Sequence, residues 1–113
     1  MSRADRLERL DGQRLASETE FAELLIAALR ETANGSWGLF AHNSDKFARR
    51  LWDKPVNELT ELGEQVDSMR KTLGLEPFAL FADFLASRGP VASNAPGEPK
   101  QAKAWLEKLG LDP

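Results

Sequence analysis

Val56, Leu59, Leu62, Val66, Met69 and Leu73 recur at steps of three or four residues. Asn57, Glu58, Glu61, Glu64, Gln65, Asp67, Arg70 and Lys71 lie between them. Apolar side chains on one stripe with polar ones elsewhere predict an amphipathic α-helix over residues 55–73. Pro55 suits the first helical position, where its missing N–H costs nothing, and Gly74 suits the left-handed residue that closes a helix. At 1.5 Å per residue this rod would be about 27 Å long, which is also roughly the diameter expected of a domain this size. The spacing therefore predicts a central helix crossing the molecule, with the other helices packed on its stripe.

Taken in order, residues 2–11 predict a short charged helix. Ser2 is placed to cap it, and Ala4, Leu7 and Leu10 form a thin stripe among Arg3, Asp5, Arg6, Glu8 and Arg9. Asp11-Gly12 reads as a stop. Ser17 and Glu20 have the spacing of a capping box, which opens a second helix with Phe21, Leu24, Leu25, Ala28 and Leu29 on its main face. Asn34-Gly35 ends it. Residues 36–43 hold Trp37, Leu39 and Phe40 without periodicity, and are expected to fold back and plug one end of the core. A third short helix is expected at 45–52, with Phe47, Leu51 and Trp52 on its apolar side. Pro77 opens a fifth at 77–87, rich in phenylalanine. Residues 89–98 hold two prolines and two glycines and read as a flexible connector. Pro99 starts a last helix over 99–110, with Ala102, Trp105, Leu106 and Leu109 on one side and Gly110 as its cap.

No strand pattern is visible: the chain has no tyrosine and just four valines and isoleucines. The expected fold is all-α, a single compact bundle of five to six helices in one domain over residues 1–113, with no β-sheet. Within it, 1–16 form a charged lead-in, 17–88 the core helices, 89–98 the connector and 99–110 the C-terminal helix.

Composition narrows the chemistry. The 113 residues are 42% hydrophobic and 29% charged, in the range of a soluble globular domain. Net charge is -3 and the pI about 5.2. A nucleic-acid binder usually carries a basic field, so that class is disfavoured and no nucleic acid is expected as a partner. The absence of cysteine excludes disulfides, thiolate nucleophiles and Cys-type metal sites. No apolar segment follows the charged start, and the longest apolar run is too short to cross a bilayer, so no membrane association and a cytoplasmic location are expected.

His42 is the only histidine. With Asp45, Ser36 and Ser44 nearby it offers the parts of a hydrolytic triad, but Gly35-Ser36-Trp37-Gly38 lacks the spacing of a nucleophile elbow. A loop histidine bonded locally is the better account. Glu58, Glu61 and Glu64 lie off the apolar stripe. A carboxylate metal site in a bundle needs histidines that one His cannot supply, so a solvated face explains them. Lys46, Arg49 and Arg50 form the densest cationic cluster, beside Trp52, yet Asp45 and Asp53 flank it, as on an ordinary charged helix surface. Trp37 and Phe40 beside His42 suit either an aromatic-lined pocket or a core plug. No catalytic motif, metal set or cofactor loop is present, and neither enzyme activity nor a cofactor is expected.

The expected function is therefore that of a non-enzymatic protein–protein interaction or self-association module. The candidate surface comprises Trp37, Phe40, His42, Lys46, Arg49, Arg50, Trp52 and Trp105. A small-ligand sensor or carrier with its pocket at Trp37, Phe40 and His42 is the alternative, and a nucleic-acid-binding regulator the third.

Overall fold

The computed structural model describes residues 2–40, 52–88 and 94–112. Among them are four helices: α1 (Arg3–Ala33), α2 (Asp53–Thr72), α3 (Ala79–Ser87) and α4 (Glu98–Lys108). The described residues contain no strand, and the architecture is all-α. Four helices replace the five to six expected. The helix expected at 45–52 lies outside the described residues, apart from Trp52. So do residues 89–93 of the expected connector.

The two expected N-terminal helices are one. Ser2 caps α1 in a reciprocal box: the Asp5 N–H donates to Ser2 Oγ at 3.1 Å, and the Ser2 N–H donates to Asp5 Oδ2 at 3.3 Å. The helix then passes through Asp11-Gly12 without a break. A helical Gly costs about 1 kcal/mol relative to Ala, which an already nucleated helix can absorb. Arg14 bridges the expected stop by pairing with Asp11 at 2.8 Å and with Glu18. Ser17 and Glu20 are left in mid-helix, and their capping spacing goes unused.

This 31-residue rod, about 46 Å long, is the organising element in place of residues 55–73, because it packs against both α2 and α4. The molecule is correspondingly elongated rather than a compact bundle. Its extents are 54 × 29 × 21 Å and its radius of gyration is 16.0 Å, against roughly 13 Å for a compact chain of this length.

The core gathers on the C-terminal half of α1. Phe21 stands edge-on to Phe78, Phe81 and Phe84, with centroids 5.4, 5.8 and 6.4 Å away. Such T-shaped pairs place a ring edge on a neighbouring face. Leu25, Leu29, Leu39, Phe40, Leu59, Ala102 and Leu106 complete it.

On α2 the buried stripe is Val56, Leu59, Gly63 and Val66, while Leu62, Met69 and Leu73 are half-buried. Pro55 is the third helical residue rather than the first, still within the turn whose N–H groups lack helical acceptors. Gly74, at φ 72°, closes α2 as expected: its N–H donates to Lys71 O, and that of Leu75 donates to Arg70 O. Gly110 and Leu111 repeat the pattern on Glu107 and Leu106 at the end of α4. Residues 75–78 join α2 to α3 without helix or strand. Asp67 Oδ1 accepts from the Phe78 N–H at 2.8 Å, and the Arg70 guanidinium donates to the Glu76 carbonyl.

Candidate functional site

Two regions can be built up from the residues. The first is the junction where the chain leaving α1 meets the start of α4. Glu98, the first residue of α4, is fully buried. Its Oε2 accepts from the Gly38 N–H at 2.9 Å and its Oε1 from the Phe40 N–H at 2.7 Å. Charge-assisted bonds to both oxygens, at the positive end of a helix, offset the desolvation of a carboxylate. Arg88, just past α3, donates from Nε to the Leu39 carbonyl at 2.8 Å, and its guanidinium lies 6.0 Å from the Phe84 ring centroid. Burial pushes the Arg88 guanidinium below its usual range, while the charges of Glu98 and Asp53 oppose that shift. Residues 38–40 are thus held on both sides by side chains from distant parts of the chain.

These bonds turn Phe40 inward, where its ring stacks on Trp105 at 6.2 Å and 23°. Trp37 points the other way and stays 39% exposed against Gly97. It borders an open groove of about 620 Å³ with Asn94, Ala95, Pro96, Pro99 and Lys100. Of the two aromatics, Phe40 thus lies in the core and Trp37 at the surface. Trp52 is buried at the start of α2 and is not a surface ring. His42, Lys46, Arg49 and Arg50 lie outside the described residues.

The second region is a long groove between α1 and α2, which run antiparallel. Gln13, Ala16 and Ser17 of α1 face Gln65, Ser68 and Met69 of α2 across about 520 Å³. Farther along, Glu20 and Leu24 face Glu58, Glu61 and Leu62 across about 260 Å³, with Gln65 lining both parts. Three glutamates and two leucines line the far part. Arg14 and Arg70 share Glu18, at 13%, 19% and 18% side-chain exposure, and Arg14 is held above its ordinary basicity by its bonds to Glu18 and Asp11.

Sequence reasoning did not single out Glu98, Arg88, Gly63 or this groove. An acidic residue at the first helical position is unremarkable for the helix dipole, so nothing local marks Glu98 as buried. The groove depends on α1 being continuous. Among the described residues, no group of three or more His, Cys, Asp or Glu side chains is placed to hold a metal ion, and no helix is long and apolar enough to cross a membrane. No protein-family model, curated protein or solved structure matches the chain.

Proposed function

We propose that this protein is a non-enzymatic association module that binds another protein through the N-terminal half of α1. One observation carries the reading. The first buried side chain on α1 is Phe21 and its contact with α2 begins at Gln13, so residues 3–12 form a helical arm with no buried side chain. A helical segment of this length is marginal in water unless packing supports it. Leu7 and Leu10 continue the face that Phe21, Leu25 and Ala28 bury farther along, which gives a partner an apolar strip to cover.

Native mass spectrometry of the protein taken gently from its own cells tests this. A mass above 12.6 kDa is expected, either a multiple of that value or the sum with another protein. A bare chain at every concentration would overturn the reading.

The exposed Trp37 in its groove favours a small-ligand site as the second reading. A metabolite that shifts tryptophan emission in the intact chain, and no longer does so in Trp37→Phe, would favour it over the first.

A further inference from the structure

We infer that the occupant of the α1–α2 groove is the arm of a second copy of this chain, in an antiparallel two-fold pair. This rests on the association reading above, takes the same arm as the binding element and names its partner, which meets the Arg6–Arg9 stripe flanking Leu7 and Leu10. Arg6, Arg9, Gln13, Ser17, Glu20 and Leu24 follow one another along α1 at steps of three or four, with Ala16 beside them. They share one helical stripe. Its second half, from Gln13, lines the groove with α2. Its first half runs on past the groove and carries Arg6 and Arg9.

The two halves complement each other in charge and in length. The arm carries Arg6 and Arg9 on this stripe, and Arg3 stands in the first turn of the helix, where the macrodipole disfavours a cation. An acidic surface would relieve that conflict. The far part of the groove supplies one, with Glu20, Glu58 and Glu61 around Leu24 and Leu62. Residues 3–13 span roughly 15 Å, and the groove wall from 13 to 24 spans roughly 16 Å. A two-fold axis beside Gln13 therefore seats each arm in the other copy's groove. It brings Arg6 opposite Glu20. Because the interaction is isologous, it closes at two copies and leaves no open end.

Sedimentation equilibrium of the full chain and two charge-reversal variants tests this. In R6E/R9E the arm becomes acidic, and in E20R/E58R the groove becomes basic. All four positions are exposed, so unchanged helical circular dichroism should accompany both variants. The wild type is expected at twice 12.6 kDa, with association weakening as salt rises. Each variant alone should associate about tenfold or more weakly, since like charges then face each other. An equimolar mixture should recover the dimer, because both arm–groove contacts are again between opposite charges. A dimer indifferent to both reversals would overturn the groove assignment and leave the association reading standing. A wild type that stays monomeric at millimolar concentration would overturn the second copy as partner. The mass found in cells then decides the association reading on its own.

Discussion

The ring of Phe81 fills the space that a side chain on Gly63 would need: a Cβ at Gly63 would lie 2.2 Å from it. Gly63 is buried in the middle of α2, and Phe81 also packs on Phe21. The contact with α3 thus depends on a residue that weakens α2 as a helix. Gly63→Ala sets two effects against each other. Better helix propensity favours the variant by about 1 kcal/mol, while overpacking against a ring held on its other side costs about 1–3 kcal/mol. The clash should win, and thermal unfolding should show a Tm lower by several degrees. Adding Phe81→Leu should return part of the loss. A Tm equal to or above the wild type in the single variant would mean that the ring yields freely.

Glu98 ties α4 to residues 38–40 through two backbone N–H groups. Glu98→Gln replaces one acceptor oxygen with an NH2 group, which turns a donor toward a donor. A buried polar group left without its partner costs about 1–3 kcal/mol. Urea denaturation should show that loss. Hydrogen exchange should localise it, with faster exchange at the Gly38 and Phe40 amides and little change at Val66, which is buried in α2. Uniform acceleration across the chain would instead assign Glu98 a global role.

The endings of α1, α2 and α4 were legible, although the stop read at Asp11-Gly12 ends no helix. Asn34-Gly35, Gly74 and Gly110 terminate helices where the sequence places terminators, because a positive φ is a property of one residue and its neighbours. The apolar stripes were legible for the same reason. Gly63 was not, since only the approach of Phe81 distinguishes a packing glycine from a tolerated one. The parting of Trp37 and Phe40 was not legible either. It follows from Gly38 at φ 129° and from a carboxylate sixty residues away in the chain. The groove joins an arm read as a separate short charged helix to glutamates read as a solvated face. Only the continuity of α1 relates them.

Thr32 is fully buried on α1, and its hydroxyl finds no hydrogen-bond partner among the described residues. An unsatisfied buried hydroxyl is a cost without return. Thr32→Val keeps the shape and removes that cost, so it should stabilise the protein by about 1 kcal/mol. A higher urea midpoint with an unchanged m-value would bear this out. A lower midpoint would reveal that the hydroxyl has a partner.

Gly97 gives a milder case than Gly63. A Cβ there would stand 2.9 Å from the far edge of the Trp37 ring. That ring is half-exposed and can swing outward, and the backbone at Gly97, with φ -65° and ψ 161°, suits any residue. Gly97→Ala should therefore cost less than about 1 kcal/mol while changing tryptophan emission. In a Trp37→Phe background the emission change should vanish. If it persists, Trp52 or Trp105 is responding, and the disturbance has reached the core.

Gly12 separates the two accounts of the N-terminal region most directly. If Asp11-Gly12 ended a helix, glycine would be the better residue there. In the continuous α1 it is a mid-helix glycine with nothing within 4 Å of where a Cβ would stand. Ala then loses less backbone entropy on folding and meets no neighbour, so Gly12→Ala should stabilise the arm by about 1 kcal/mol. Helical circular dichroism should rise, and the amides of residues 6–14 should exchange more slowly. The gain should appear in the arm more than in global unfolding, because the arm contributes no side chain to the core. A loss of helicity would restore the break at Asp11-Gly12. The straight path from Arg6 to Glu20 that seats one copy's arm in the other's groove would then be lost with it.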